Sequence, residues 1–489
     1  MLLEKILQSI EKERVNGETQ IQIDSITYDS SRAKENSLFI CIEGFNTDGH
    51  KYIENAISKG AIAIVVSKEI DIANEKVTII KVKNTRKVLA EIANVFYDFP
   101  TKKLDLIGVT GTNGKTSTTY MIRNILLQAN RKVGLVGTIS NWIGSREIDT
   151  TRTTPESNDL QYLFCEMLDA GIDSCVMEVS SHSLVLHRVD GSDFKIGIFT
   201  NLTRDHLDFH ETMENYFNAK KELFYKTSLC NIINADDCHG QRIITEIGEL
   251  NTPIITYGIN NHSTIKAQNI GMTIKDVTFD LVTPKYTVTL NIGTPGLFTV
   301  YNTLAACSAA YALDIDKEAI KKGLHSLRSV PGRFEIIKEI EDFTVIVDYA
   351  HTPDALENVL NSAIKFKENR IITVMGCGGD RDKTKRPIMG EISGSLSDLT
   401  IITSDNPRSE DPKVIIKEIK EGIEKTEGEY LIVEDRKEAI KAALNNAKKR
   451  DIVIIVGKGH EKVQIIGKNV YPFDDKKVAL EVAREEGLL

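Results

Sequence analysis

Glycine, lysine and hydroxyl side chains crowd into one stretch, Gly108-Val-Thr-Gly-Thr-Asn-Gly-Lys-Thr-Ser-Thr118. That combination can hold a nucleoside triphosphate. A Gly-rich turn between strand and helix aims backbone N–H groups at an anion, and the helix start adds its positive end. Lys115 is expected to reach the β- and γ-phosphates, and Thr116 to place its hydroxyl on Mg²⁺. The match is Thr110-Gly-Thr-Asn-Gly-Lys-Thr116, shorter than the usual loop, because Val109 stands where the full pattern has glycine. A Gly-rich turn without ligand is the simpler alternative. Lys-Thr directly after the last glycine, opening a helix, argues against it.

Other stretches offer metal and anion chemistry. Glu178-Val-Ser-Ser-His182 follows an apolar run, where an acidic residue can hold Mg²⁺ on a nucleotide; a plain helix N-cap is the alternative. Asn201-Leu-Thr-Arg-Asp-His-Leu-Asp208 is dense in ligand types, and His206 is a candidate for a second divalent cation. In the helix read over 213–224, Met213, Tyr216, Phe217, Leu223 and Phe224 form an apolar stripe with Lys220 at its middle. A buried ammonium must shift its pKa, find an anion or be modified; addition of CO₂ would give an anionic carbamate. Snorkelling of the head into water is the competing reading. Asp348-Tyr-Ala-His-Thr-Pro-Asp354 places Tyr349 or His351 where either could stack on a base. Asp405-Asn-Pro-Arg408 offers a stiff turn and a fork-shaped cation suited to a carboxylate. Arg381 lies in a similar loop, so the two point to a substrate with more than one carboxylate.

These residues need a scaffold that brings strand ends together. Residues 1–103 read as a small α/β domain: a helix over Leu2–Ile10, strands at 21–26, 38–42 and 61–66, a polar turn Asp29-Ser-Ser-Arg32, and a helix stop at Gly60. Phe99-Pro-Thr-Lys-Lys103 reads as a linker. Residues 104–330 read as a doubly wound domain, with strands ending at the phosphate loop, Glu178 and Asn201, a β-rich insert over 255–292 and a helix carrying Asn302. Residues 331–489 form another, Rossmann-like, mostly parallel α/β unit, with strands ending at Asp348, Gly376, Thr403, Val433 and Gly457. Ligands in such sheets bind beyond the carboxyl ends of strands, where these motifs fall.

A chain of 489 residues implies about three domains. A net charge of −9 disfavours a general nucleic-acid partner. Seven scattered cysteines without a Cys-x-x-Cys pair suit reduced thiols. No apolar run has the length of a membrane span or a signal peptide, so a cytoplasmic enzyme is expected.

The ordered set Thr110–Thr116, Thr153-Thr-Pro155, Glu178–His182, Asn201–Asp208, Lys220, Pro331-Gly-Arg333, Asp348–His351 and Asp405–Arg408 resembles the Mur ligase family of ATP-dependent amide ligases across nearly the whole chain. Within it, the chain is most similar to members adding meso-2,6-diaminopimelate to the D-Glu γ-carboxylate of UDP-N-acetylmuramoyl-L-alanyl-D-glutamate, in peptidoglycan precursor synthesis. The resemblance implies a UDP-sugar domain, an ATP domain and an amino-acid domain, with Mg²⁺ as cofactor and a monomeric enzyme. It implies that Ser30 or Ser31, Thr153, Thr154, Ser180 and Arg188 contact the UDP-muramoyl dipeptide. Gly111, Thr112, Asn113, Gly114, Lys115, Thr116, Asn302, Arg333, Asp348 and His351 would bind ATP. Thr116, Glu178, His206 and Lys220, as its carbamate, would serve the metal. Arg381, Asp405, Asn406, Pro407, Arg408, Gly457 and Glu461 would bind diaminopimelate. One position departs from the pattern: Leu186 stands where related enzymes carry Gln. Folylpolyglutamate synthetase, the nearest rival, lacks a domain like residues 1–103. A P-loop regulatory switch is disfavoured because no guanine-reading Asn-Lys-x-Asp is present.

Overall fold

The computed structural model describes residues 1–45, 47–70, 76–327 and 329–489. Contacts divide them into two compact units. One holds 1–110, 131–197 and 219–229; the other holds 111–130, 198–218 and 230–489.

In the first unit, a five-stranded sheet runs in the order Arg14–Asn16, Thr78–Lys81, Ala61–Val66, Ser37–Ile40, Ser25–Thr27. Only the Arg14–Asn16 edge is antiparallel. The strand expected over 21–26 is shorter than its alternation suggests. Ile23 and Ile26 are buried, but the Ile23 N–H bonds the Met1 carbonyl and the Leu3 N–H bonds Ile21. The N-terminal segment thus takes the hydrogen bonds a ladder would need, leaving Ser25–Thr27 in the sheet. The helix Thr85–Phe96 starts where Asn84 accepts from the Arg86 and Lys87 N–H groups. It buries Val88, Leu89, Ala90, Ile92 and Ala93, and Arg86 in its first turn is largely buried against Glu156. The expected linker is an ordered 3₁₀ turn, Pro100–Lys103, with Pro100 and Thr101 buried.

The same unit carries Asp105–Thr110 paired parallel with Ser174–Glu178, which pairs parallel with Val133–Val136. These contiguous apolar runs are buried on both faces, as parallel strands require. The register sets Glu178 opposite Val109, so both strands end together.

In the second unit, the helix Lys115–Gln128 follows the phosphate loop. The helix Lys317–Ser326 packs so close that a Cβ on Gly323 would lie 2.5 Å from Ile125 Cα. Residues 231–234 pair parallel with Ile254–Gly258, which pairs parallel with Ile265–Met272, and Val277–Val282 and Thr287–Ile292 follow as an antiparallel meander. A six-stranded sheet has the order Glu335–Ile337, Thr344–Asp348, Ile452–Val456, Ile371–Met375, Leu399–Ile402, Glu429–Ile432. All pairs but the first are parallel, and an apolar cluster fills each face. The chain order reverses around Ile452–Val456, so the carboxyl ends of its neighbours open a crevice of the kind ligands occupy. A hairpin absent from the sequence reading, Val463–Ile466 with Asn469–Pro472, follows this crevice. The helix expected over 213–224 is α-helical only over Met213–Lys221 and tightens to 3₁₀ over Glu222–Tyr225.

Candidate active site

The phosphate loop is held open from behind. Asn113 receives a bond from Thr200 Oγ1 at 2.6 Å on its carbonyl, and its N–H donates to Asn201 Oδ1 at 2.9 Å. Lys115 Nζ bridges the Gly111 and Thr112 carbonyls, each at 2.9 Å, which draws the ammonium across the loop. Gly114 has φ +86°, and a Cβ there would meet Asn302 Oδ1 at 2.2 Å; only glycine fits beneath Asn302. Arg333 Nη2 donates to Thr116 Oγ1 at 3.1 Å, and Asn113 Nδ2 to Asp354 at 2.6 Å. The loop, Asn302 and Arg333 therefore form one cluster.

Asp348 lies in the same unit, buried, accepting from the Phe334 and Ala350 N–H groups at 2.6 and 2.7 Å. Burial pushes its carboxyl up, against the pull of Arg333 and these N–H groups. Beside it, the Tyr349 ring has the Arg333 guanidinium 4.4 Å above it and the rings of His351 and His460 at 4.5 and 4.8 Å. His351 Nδ1 lies 2.8 Å from the Tyr349 carbonyl, which makes Nδ1 the protonated nitrogen of the neutral ring. Burial and the nearby Lys385 push His351 down to about 4, with Asp205 opposing; 39% of the side chain faces solvent, so water moderates the shift.

Asp205 was not foreseen. It is buried, with His206 Nε2 at 3.3 Å, Lys385 Nζ at 3.8 Å and His351 Nε2 at 3.9 Å. Burial favours its neutral form, yet His206, Lys385, His351 and the His206 N–H together bring the carboxyl well below its usual range. His206 adopts φ +53° at the start of the turn Leu207–His210.

At the neighbouring strand ends the expected amino-acid residues converge. Arg408 has φ +52° and donates from Nη1 to the Gly379 carbonyl at 2.6 Å. Its N–H bonds the Ile465 carbonyl, and Gly467 N–H bonds its own carbonyl, so the hairpin fixes the turn. Burial lowers the Arg408 pKa, as does Arg381, while Asp405 and Glu461 oppose. Arg381 is exposed. Gly457 has φ +111°, and a Cβ there would sit 2.6 Å from Asp405 Oδ2. Asn406 has both side-chain ends engaged: Nδ2 donates to Glu461 Oε2 at 2.7 Å, and Oδ1 accepts from Ile465 N–H at 2.9 Å and Lys458 Nζ at 3.2 Å. Lys458, fully buried, also donates to Glu461 Oε2 at 3.1 Å and the Val463 carbonyl at 2.6 Å. Lys458 lies between Gly457 and Glu461, both expected at this site, and only the fold shows its place.

In the first unit, Thr153, Thr154, Ser180, Glu178 and Arg188 lie together. Glu178 is buried and accepts from Thr138, N–H at 2.8 Å and Oγ1 at 3.0 Å. Thr138 Oγ1 lies 3.0 Å from Thr153 Oγ1. Thr154 Oγ1 donates to the Glu178 carbonyl at 2.8 Å and accepts from the Ser180 N–H at 3.2 Å. Arg188 donates to the Thr154 carbonyl at 3.2 Å. Ser30 and Ser31 lie in the 3₁₀ turn capped by Asp29, and Leu186 caps the helix Ser181–Val185. Lys220 is 2% exposed, so it does not snorkel. Two groups of three His, Cys, Asp or Glu side chains close enough to share a metal ion occur among the described residues, Asp237-Cys238-His239 and Glu43-Asp48-His50; neither includes Glu178 or His206. A cavity of about 480 Å³ lies between Thr287–Ile292 and Lys317–Ser326, and none of the residues lining it belongs to a motif.

Family models match three successive stretches: "Mur ligase family, catalytic domain" at 22–97, "Mur ligase middle domain" at 109–310 and "Mur ligase, glutamate ligase domain" at 332–459. A protein of Alkaliphilus metalliredigens (strain QYMF) is 56% identical over 488 residues, covering 100% of this chain and 99% of its own. The chain belongs to the Mur ligase family. A second relative, from Alkaliphilus oremlandii (strain OhILAs), is 54% identical with both chains covered in full (100%). Both are named UDP-N-acetylmuramoyl-L-alanyl-D-glutamate–2,6-diaminopimelate ligase. A solved structure of that name aligns over 100% of this chain and 99% of its own, with 30% identity and a TM-score of 0.70. The Mur ligase architecture of N-terminal, middle and C-terminal parts thus accounts for the three sets of sheets. All seven cysteines are free, and among the described residues no helix is long and apolar enough to cross a membrane.

Proposed function

We propose that this Mur ligase joins meso-2,6-diaminopimelate to the D-Glu γ-carboxylate of UDP-N-acetylmuramoyl-L-alanyl-D-glutamate, with ATP converted to ADP and phosphate. The observation that carries the choice of amino acid is Arg408, locked by Gly379 and the hairpin, with Asp405 and Glu461 as the acids acting on its guanidinium. Diaminopimelate ends in a second amino-acid centre, so its distal carboxylate matches that fork and its distal ammonium matches Asp405 or Glu461. The names of the full-length relatives support the same reading.

The reaction runs in two steps. The γ-carboxylate attacks the γ-phosphoryl of ATP, giving an acyl phosphate and ADP. The amine of the incoming amino acid then adds to the acyl carbon, loses a proton and expels phosphate. The first step joins anions, so Lys115 and Arg333 stabilise charge that grows on the transferred phosphoryl group. Asn302 and the loop N–H groups hold the triphosphate, and Asp348 and His351 take the nucleoside. Glu178, Thr116 and Lys220 as its carbamate would offer oxygen donors of the kind Mg²⁺ takes, and His206 would serve the metal through its imidazole; Mg²⁺, when bound, would neutralise phosphate charge. Neutral His351 leaves Nε2 as an acceptor. Residues 1–103 are assigned to the UDP-sugar, 104–330 to ATP and 331–489 to the amino acid, with Ser30 or Ser31, Thr153, Thr154, Ser180 and Arg188 on the UDP-muramoyl dipeptide. A cytoplasmic monomer in the peptidoglycan pathway completes the reading.

The test is ADP release with the three substrates, each omitted in turn. Ligation requires all three and yields a product heavier by diaminopimelate less water. ADP release that ignores the amino acid, without that product, would refute the proposal.

A further inference from the structure

In the first unit, three guanidinium groups surround one carboxylate. Glu156, 5% exposed, meets Arg86 Nη1 at 3.2 Å, Arg188 Nη2 at 3.0 Å and Arg152 Nη1 at 2.5 Å. The three arginines come from separate places: the helix Thr85–Phe96, the turn after Ser181–Val185, and the segment before Thr153. Arg86 also donates to the Glu43 carbonyl at 3.3 Å and Arg188 to the Thr154 carbonyl at 3.2 Å. Arg188 Nε is buried without a hydrogen-bond partner. The nearby Asp159 pairs with Arg32 at 3.1 Å and accepts from Tyr28, so it does not offset the excess.

One carboxylate among three guanidiniums leaves two positive charges uncompensated, and Arg86 and Arg188 are largely buried. Holding such like charges together is costly unless an anion completes the group. Guanidinium forks in this number suit a diphosphate or a carboxylate. We propose that Glu156 is a positioning residue that gathers Arg86, Arg152 and Arg188 into one receptor for an anionic group of the nucleotide-sugar substrate. The Glu156 carboxylate sets the spacing of the forks; the substrate anion takes their remaining donors. Only the identity of that substrate rests on the ligase reading. Its anions are the diphosphate and the D-Glu α-carboxylate, the γ-carboxylate being consumed.

The test measures binding of UDP, UDP-N-acetylmuramoyl-L-alanine and UDP-N-acetylmuramoyl-L-alanyl-D-glutamate to wild type, R86A, R152A and E156Q, with steady-state kinetics alongside. E156Q should raise KM for the nucleotide-sugar on the order of 10-fold or more, the scale of a charge-assisted hydrogen bond. Its kcat and its KM values for ATP and amino acid should stay near wild type, and E156D should recover part of the loss. R86A and R152A should each weaken binding by a similar factor. Weakened UDP binding assigns the receptor to the diphosphate; weakening confined to the ligand carrying D-Glu assigns it to the carboxylate. Unchanged affinity for all three ligands in both arginine variants overturns the proposal, as does E156Q lowering kcat with nucleotide-sugar KM unmoved. If E156Q does not fold, R152A decides, because that side chain is half exposed. If wild type binds these ligands but does not ligate, the binding arms still decide the receptor, and only the ligase reading fails.

Discussion

Lys458→Met should damage the amino-acid site and the fold around it together. The ammonium is fully buried and donates to Asn406 Oδ1, Glu461 Oε2 and the Val463 carbonyl. Methionine has a similar length and fills the space, so the loss is polar. Breaking a buried pair by removing one partner costs about 3–5 kcal/mol, and Glu461, 27% exposed at its side chain, recovers part of that from water. A net cost of about 2–4 kcal/mol follows. At roughly 2–4 °C per kcal/mol for a domain of this size, the melting transition should fall by about 5–15 °C. Function should suffer in a distinct way. Lys458 and Glu461 both bond Asn406, and Asn406 adjoins Pro407-Arg408, so Glu461 and the turn lose their common anchor. KM for diaminopimelate should rise about 10-fold or more, the scale of a lost charged contact, while KM for ATP stays near wild type. Thermal unfolding and ADP release titrated with diaminopimelate measure both. An unchanged melting temperature with an unchanged KM would refute the idea that this lysine holds the site.

Lys115→Ala should lower turnover by about 10²-fold or more, because it removes charge facing the transferred phosphoryl group; near-normal ADP release would remove the phosphate-loop assignment. Lys220→Ala should be nearly inactive, with short carboxylic acids partly restoring activity in place of the carbamate; mass spectrometry or a crystal structure showing a bare ammonium in active enzyme would contradict this. Asp475→Ala should cost about 3–5 kcal/mol, since it strands the Arg436 guanidinium, which with Asp475 forms an ion pair of 0% exposure on both sides at 2.7 Å; a melting temperature equal to wild type would count against it. Burial pushes His460 down to about 3 from its ordinary 6.5, with Arg333, His351 and Lys458 facing it. The folded protein then binds fewer protons than the unfolded chain between those values. Stability should therefore fall as pH drops through that window, with the penalty complete below it. His460→Gln should flatten that decline in melting temperature against pH, and an unaltered slope would exclude the histidine as its source.

Much of this arrangement was legible because contiguous apolar runs mark strands buried on both faces. Thr344–Asp348, Ile371–Met375, Leu399–Ile402 and Ile452–Val456 each read so, and each ends in a polar motif. The three groups of sheets followed from length and from the punctuation between such runs. What stayed hidden depends on partners distant in the chain. Ile21–Ile26 alternates correctly, yet its backbone is claimed by Met1–Leu3. Asn406 has the type and place of a ligand contact, but its polar atoms are bonded to Lys458, Glu461 and Ile465, a fact no local spacing encodes. Asp205 hid beside the more conspicuous His206; its importance comes from Lys385 and His351 converging on it. Glu156 reads as an ordinary acid opening a helix until three arginines from three segments meet it.

The most direct test of the central claim compares meso-diaminopimelate and L-lysine side by side, with ATP and the UDP-muramoyl dipeptide at saturation. Lysine ends in an ammonium alone. Beside Arg408 it would bring a like charge and leave the guanidinium without a carboxylate. A site built around a polar group rejects analogues lacking it by factors on the order of 10⁴. The account predicts kcat/KM for diaminopimelate higher by such a factor, with Arg408→Ala losing diaminopimelate and not gaining lysine. Equal or better kcat/KM for L-lysine would contradict it.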